Sequence, residues 1–164
     1  MTAEQPSSRV IESAQDLLAV VELDGIEVYE VSGRGIDRGS VDDYEETYDI
    51  KVAVNVSPEY LKTRFTMTFN AAVGEYRVDL AVRYRIEEQG LQIPPAATVD
   101  FAERVGVMAA FPFLRENIYN IASRLGDPIP VLGLVRQGQF KLEMDPAVVA
   151  QAASDASAAS PQRE

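Results

Sequence analysis

The stretch that decides the fold is VGVMAAFPFLRENIYNIASRLGDPIPVLGL, which runs from Val105 to Leu134. Its larger apolar residues recur at spacings of three and four, which is the period of a helix with one buried stripe. These residues are Phe111, Leu114, Ile118, Ile121 and Leu125. Pro112 interrupts the run early, so the helix is expected either to begin near Phe111 or to kink there. Gly126 and Pro128 predict its end, because glycine takes the left-handed end position and proline stops the helix.

Three segments upstream of this helix alternate strictly between apolar and polar residues, which is the period of a half-buried strand. They cover residues 48–56, 64–71 and 75–86, and the gaps between them are short enough for hairpins. A further strand is predicted over residues 26–32 from its composition. A sheet with one apolar face needs a cover, and the long helix is the only element large enough to supply it. We therefore predict an α+β fold in which a four-stranded antiparallel sheet packs against a long helix.

The composition excludes most catalytic classes. The chain has 164 residues, which is enough for one domain with a hydrophobic core, and it contains neither cysteine nor histidine. Disulfides, thiolate metal sites and the commonest general base are therefore absent. The sequence also lacks a phosphate-binding glycine loop and a nucleophile elbow. We expect no catalytic residues, no metal ion and no cofactor.

Charge and hydropathy limit the partners and the location. The formal net charge of −11 disfavours nucleic acid and anionic lipid as ligands. The N-terminus lacks the pattern of a secretory signal, and no apolar run approaches the ~20 residues that a membrane-spanning helix needs. We therefore expect a cytoplasmic protein without membrane insertion.

The remaining segments complete the domain. Apolar spacing predicts an N-terminal helix at about residues 7–21. The acidic connection over residues 33–47 lacks the ligand order of a calcium loop, so we interpret it as a solvated loop. We expect one domain over residues 1–145, followed by a weak helix and a flexible tail over residues 146–164.

The run Phe111-Pro112-Phe113-Leu114-Arg115-Glu116 carries a resemblance to a known family. This run and the residues after it resemble the long helix and following segment of the SecB family of export chaperones. The later residues that match are Ile118, Ser123, Arg124, Pro128 and Pro130 to Leu134. The overall layout is similar to the SecB-like proteins of actinobacteria, some of which serve export while others control toxin–antitoxin systems.

The resemblance implies an assembly and a docking partner. It implies a homotetramer, a dimer of dimers in which sheets pair at their edges and long helices lie between the dimers. The implied interface residues are Phe111, Phe113, Leu114, Ile118 and Ile121. It also implies docking of the translocase motor SecA on acidic sheet positions, which Glu30 and Asp79 match by position. Arg34 and Arg77 depart from the family pattern, since an acid and an apolar residue are expected at their positions.

Eight apolar residues lie in proline- or glycine-punctuated segments outside the regular core pattern. They are Leu91, Ile93, Val131, Leu132, Leu134, Phe140, Leu142 and Met144. A chaperone that holds unfolded chains needs adaptable apolar grooves with a charged periphery. We therefore interpret these residues as client-binding, although core packing or a subunit contact competes with that interpretation for each of them.

The function that follows is an ATP-independent holding chaperone for unfolded or presecretory polypeptides, which it keeps competent for translocation. The alternatives are a dedicated chaperone of an antitoxin in a toxin–antitoxin system and a small-molecule-binding α+β domain.

Overall fold

A computed structural model describes residues 9–37, 45–127 and 132–133 of the chain. Its elements, in chain order, are β1 (Arg9–Val10), α1 (Ala14–Leu18), β2 (Val21–Gly35), β3 (Thr47–Val56), β4 (Tyr60–Asn70), β5 (Gly74–Ile86), β6 (Leu91–Gln92), α2 (Pro95–Phe101), a π-helical stretch (Ala102–Gly106) and α3 (Val107–Leu125). The predicted weak helix and tail over 146–164 lie outside these described residues.

The main sheet has four strands in the order β2-β5-β4-β3, and every neighbouring pair is antiparallel. Strands β3, β4 and β5 follow one another as hairpins, whereas β2 crosses over the sheet to pair with β5. The short strands β1 and β6 form a separate parallel pair. The predicted α+β fold, a four-stranded antiparallel sheet packed against a long helix, is confirmed.

The N-terminal helix is much shorter than the predicted span of about residues 7–21. It contains five residues and begins where the Ser13 hydroxyl accepts a hydrogen bond from the backbone N–H of Asp16, at 3.2 Å. Arg9–Val10 before it is extended because it pairs with β6. After it, β2 begins at Val21, well before the predicted strand over 26–32. Strand pairing of the residues before and after the helix therefore limits its length.

Of the two alternatives that Pro112 left open, a helix start near Phe111 is wrong, because α3 begins at Val107. Proline disrupts a helix interior by removing one N–H donor, yet Pro112 lies inside α3, and α2 with the π-helical stretch already leads into it. The predicted end is confirmed, since Gly126 has φ 74° in the left-handed region. α3 packs mainly on β5 and β2 and contacts β4 less.

Two glycines allow close packing of the helical layer on the sheet. A Cβ atom on Gly33 would lie 3.0 Å from Cδ1 of Tyr76 and 3.1 Å from Cγ1 of Ile121 in α3. A Cβ atom on Gly106 would lie 3.1 Å from Oγ1 of Thr63 in β4. All three distances are shorter than normal van der Waals contacts, so larger residues here would push the helical layer away from the sheet.

The buried stripe of α3 predicts a contrast between two leucines of the same helix. Leu114 is fully buried, while Leu125 is 43% exposed. Leu114→Ala should lower the free energy of unfolding by about 3 kcal/mol because it leaves a cavity, whereas Leu125→Ala should cost less than about 1 kcal/mol. Urea titrations at equal protomer concentration measure both variants. Equal losses of unfolding free energy in the two variants would mean that α3 does not pack as described.

Candidate functional site

Strand β3 is one part of the sheet that the described helices leave uncovered; helix-facing residues of β2 such as Val28, which is 52% exposed, are another. Among the described residues, its principal contacts are with β4 alone. On its helix-facing side Ile50, Val52 and Val54 are half-buried and Val56 is 41% exposed. Phe65, which lies opposite Val52 on β4, is fully buried. Within residues 9–37, 45–127 and 132–133, the apolar face of the sheet is therefore covered over β4 and open over β3.

In the part of the chain that the structure describes, the backbone of β3 also has an open edge, and its direction can be derived from the hairpin. The N–H of Ser57 donates to the carbonyl of Tyr60 at 2.8 Å, so these two residues form a hydrogen-bonded pair. Hydrogen-bonded and non-bonded pairs alternate along an antiparallel ladder, and the register of β3 and β4 has no bulge. The residues of β3 whose N–H and C=O groups point away from β4 are therefore Tyr48, Ile50, Val52, Val54 and Val56.

The opposite edge of the sheet is less regular. Strand β2 carries register shifts between Leu23 and Gly25 and between Val28 and Glu30. Bulges of this kind twist a strand edge and interrupt its row of hydrogen-bonding groups, which disfavours addition of another strand. Of the two edges, β3 thus offers the continuous row, and its apolar side chains belong to the same residues as its outward-pointing backbone groups.

A groove of about 480 Å³ runs along one flank of α3. Its lining residues are Met108, Phe111, Pro112, Arg115, Glu116, Tyr119 and Asn120. Ile121, on the other flank, lies against Gly33 of β2. Because β2 and β3 are the two edges of the sheet, the groove lies on the flank directed toward β4 and β3. The groove and the open apolar face of β3 are therefore on the same side of the sheet.

The other side of the sheet is charged but largely self-neutralised. Basic residues of β4 and β5 form ion pairs with acids of β2 and β5; the pairs are Lys62–Glu27, Arg64–Asp79, Arg77–Glu30, Arg83–Asp24, Arg83–Glu27 and Arg85–Glu22. Arg64 also lies 4.3 Å from the ring centroid of Tyr29. The two faces of one sheet thus differ sharply in chemistry.

The predicted docking residues Glu30 and Asp79 lie directly opposite each other on this charged face. Asp79 is only 5% exposed, and both its oxygens accept hydrogen bonds from Arg64, at 2.8 Å each. This bidentate pair lowers the pKa of Asp79. Hydrogen bonds from Ser32 and then Arg77 lower the pKa of Glu30. Both carboxylates are therefore already engaged within the chain, and docking of SecA there stays a prediction.

The predicted client-binding residues are only partly described. Leu91 and Ile93 are half-buried against the core, and Leu132 is 3% exposed within it. The others lie outside the described residues; they are Val131, Leu134, Phe140, Leu142 and Met144. The open face of β3 was not predicted from the sequence. A strand whose apolar side is covered shows the same strict alternation of apolar and polar residues.

The predicted oligomer-interface residues are divided between core and surface. Leu114 and Ile118 are fully buried within the protomer, and Phe111 is nearly so. Ile121 is half-buried against Gly33, and Phe113 is 39% exposed. The structure thus leaves Phe113 as the member of this set with most surface to offer another subunit.

Two other features are absent from the described part of the chain. No group of three or more His, Cys, Asp or Glu side chains there is placed to hold a metal ion. None of the helices in residues 9–37 and 45–127 combines the length and the apolar composition that crossing a membrane requires.

Known proteins resemble this chain in sequence and in fold. The SecB-like chaperone SmegB of Mycolicibacterium smegmatis is 31% identical over 139 residues, which cover 85% of this chain and 92% of that protein. A solved structure of the Mycobacterium tuberculosis SecB-like chaperone Rv1957, in complex with a ChAD peptide from the Rv1956 HigA1 antitoxin, superposes with a TM-score of 0.63. It is 16% identical, and the match covers 75% of this chain and 93% of that one. No family model matches the chain.

The Arg64–Asp79 pair predicts a pH dependence of stability. Because the folded-state pKa of Asp79 is below its unfolded value, the pair stabilises the fold above the ordinary aspartate pKa of about 4. That contribution is lost as the pH falls through the lower, folded pKa. Asp79→Asn should therefore be less stable than wild type at neutral pH, and the gap should narrow below about pH 4. Urea titrations across this pH range measure the difference in free energy of unfolding between wild type and Asp79→Asn. A difference that does not change with pH would contradict the stabilising role of the Arg64–Asp79 pair.

Proposed function

This chain belongs to the SecB-like chaperones, and on that premise we propose that it is an ATP-independent holding chaperone for unfolded or presecretory polypeptides. It keeps these clients unfolded and competent for translocation. The resemblance first seen in the segment from Phe111 to Glu116 is confirmed by the relative at 31% identity. The observation that carries the proposed activity is the uncovered apolar side of β3, with its open backbone edge.

A client binds as an extended segment along β3. Its backbone N–H and C=O groups pair with those of Ile50, Val52 and Val54, which point to the open edge. In such a pair, side chains of bonded residues lie on the same face of the sheet. Every second client side chain therefore reaches the apolar face beside α3. Backbone pairing does not depend on sequence, so this mode accepts many clients that share only alternating apolar residues.

The expected affinity of one such site is low. Fully burying a Val or Ile side chain is worth about 1.5–3 kcal/mol, and the residues of this face are already half-buried. Covering the rest of three of them contributes roughly 3 kcal/mol, which by itself corresponds to weaker than millimolar binding. A holding chaperone with such sites needs several of them on one long client, and it releases the client without ATP because each contact is weak.

An assembly would supply several sites on one particle. We propose the homotetramer, a dimer of dimers in the cytoplasm, as that assembly, in which pairing of sheets between subunits uses the edge of β2 and leaves the edge of β3 to the client. SecA stays a candidate partner, whose docking on the charged face would have to replace the Arg77–Glu30 and Arg64–Asp79 pairs. Phe113, exposed on α3, is the candidate for a contact between dimers.

The second candidate function is a dedicated chaperone of an antitoxin. It is favoured by one observation, namely that a SecB-like chaperone of similar fold has been solved with an antitoxin peptide bound. The same open face would then hold one short, specific segment instead of many unrelated ones. The two functions differ in selectivity and not in the location of the site.

The two faces of β3 provide a matched test of the holding activity. Val52→Thr with Val54→Thr makes the helix-facing side polar while keeping side-chain shape and strand propensity. Ala53→Thr with Asn55→Thr introduces the same residues on the charged face. In light-scattering assays of an aggregating, slow-folding client without nucleotide, the first pair should require about tenfold more chaperone for half suppression. The second pair should reach half suppression at the same chaperone concentration as wild type.

Two outcomes of this assay would count against the proposal. In the first, wild type leaves aggregation of the client unchanged, and the holding activity itself is absent. Alternatively, both double variants could suppress aggregation equally well, and the site would then lie elsewhere than on β3.

Competition separates the general from the dedicated chaperone. A fluorescent client bound to the protein is challenged with an excess of unrelated unfolded proteins, and its release is followed by anisotropy. A general holding chaperone should lose the client to these competitors, since all use the same alternating apolar pattern. Retention of one antitoxin segment against every unrelated competitor would favour the dedicated function instead.

A further inference from the structure

We propose that the open edge of β3 selects client segments by the order of their charges. It prefers an acidic, an apolar and a basic residue in succession from the N-terminus to the C-terminus of the client. Lys51 contacts the acidic side chain and Asp49 contacts the basic one. This inference rests on the proposed function, because it defines which clients the edge of β3 accepts and in which direction they lie.

The surface that carries this selection is free in the proposed homotetramer. That assembly pairs sheets through the edge of β2 and places the long helices between the dimers. It therefore covers neither the edge of β3 nor the outer face of the sheet, which is the charged side away from α3. Lys51 belongs to this outer face, since its row continues through Thr66 to Asp79. Asp49 follows two residues earlier on the same face, and both side chains are exposed.

Asp49 and Lys51 differ from the other charged residues of the outer face because they have no ionic partner among the described residues. The ion pairs of this face join basic residues of β4 and β5 to acids of β2 and β5. These pairs do not extend to β3, where Thr68 lies opposite Asp49 and Thr66 lies opposite Lys51. A strand added at the open edge would supply the missing opposite charges.

The hydrogen-bonding pattern of β3 places these two side chains where a client comes closest. The backbone groups that point away from β4 belong to the even-numbered residues from Tyr48 to Val56. Asp49 and Lys51 would therefore form non-hydrogen-bonded pairs with an antiparallel client. In such pairs the Cα atoms are about 4.5 Å apart, compared with about 5.5 Å in hydrogen-bonded pairs. Opposite charges directly across such a pair attract, and like charges repel.

Antiparallel pairing converts the order of charges on β3 into an order in the client. The client residue opposite Lys51 is followed two residues later by the one opposite Asp49. The residue between them lies opposite Ile50 and points to the apolar side. Every neighbouring pair in the main sheet is antiparallel, and antiparallel pairs are slightly more stable per residue than parallel ones. The preferred order is therefore acid, apolar residue, base.

The charges around β3 favour the same order. Glu45 and Glu46 are exposed just before the strand, at the end where Asp49 lies. Toward the other end, β4 carries Lys62 and Arg64 on the outer face, and their acidic partners belong to β2 and β5. Because β4 lies next to β3 and the other two strands lie farther away, the basic member of each pair is nearer to the client. The edge of β3 is thus negative near its start and positive near its end.

Two peptides of identical composition test the inference. Each carries four copies of an extended, alternating segment, joined by flexible linkers because one site alone binds weakly. Each segment of the first peptide has Glu, Val and Lys in that order at its centre, and the second has Lys, Val and Glu. Both peptides are fluorescent and blocked at both ends. In anisotropy titrations wild type should bind the first about fivefold more tightly at low salt, and the preference should shrink at high salt.

Exchange of the two charges on β3 is the decisive variant. Asp49→Lys with Lys51→Asp keeps the composition and the apolar side of β3, and it should reverse the preference between the peptides. Asp49→Asn with Lys51→Gln removes both charges and should bind the two peptides equally. The matched control is Arg9→Glu with Glu88→Arg, which exchanges an exposed ion pair outside the main sheet. It should keep the wild-type preference, and thermal unfolding should show that all variants fold.

Four results would overturn the inference. Wild type binds the two peptides equally, or it prefers the Lys-Val-Glu order, which indicates a parallel client. The charge exchange on β3 leaves the preference unchanged, or the control exchange reverses it. In each of these cases the holding activity stands, because the peptides still bind.

Failure of the proposed function looks different. If wild type binds neither peptide, the client-binding activity is refuted and the charge selection with it. If wild type binds both equally while Val52→Thr with Val54→Thr weakens both, the client site stays on β3 and only the charge selection is refuted.

Discussion

This structure depends on one constraint of size, which is that a single helix is narrower than a sheet of four strands. An α-helix with its side chains is about 10–12 Å across, while four strands about 4.8 Å apart span more than that. α3 lies over β5 and β2 and reaches β4, where Leu114 and Ile118 fill the interior. The fourth strand, β3, has the same alternation and therefore the same apolar side, but the described helices do not reach it. The open face follows from this mismatch in size.

The strand pattern, the long helix and its end at Gly126 could be predicted from the sequence, because period and turn chemistry are local properties. The uncovered strand could not. Alternation identifies which side of β3 is apolar, but which strand lies at an edge depends on β2 crossing over to β5, a contact between distant residues. The candidate client residues were therefore sought after α3, where Leu132 is in fact buried. The short α1 has a similar cause, since pairing of Arg9–Val10 with β6 overrides the helical spacing.

The two faces of the sheet differ in chemistry and therefore in the contacts they can make. On the outer face, Arg64 and Asp79 exemplify side chains that satisfy one another within the chain, so this face offers few unpaired charges to a partner. On the helix-facing side, apolar residues of β3 remain accessible within the described part of the protomer. The charged face and the negative net charge keep such a particle soluble while it exposes an apolar surface.

Amide hydrogen exchange of β3, followed by NMR with and without a bound unfolded client, tests the central claim most directly. The account predicts that the outward-pointing N–H groups of Ile50, Val52 and Val54 exchange rapidly in the client-free protein and become protected when the client binds. Protection should extend along β3 as an alternating pattern, since only every second amide points to the open edge. Unchanged exchange of these three amides in a complex that demonstrably holds its client would contradict the account.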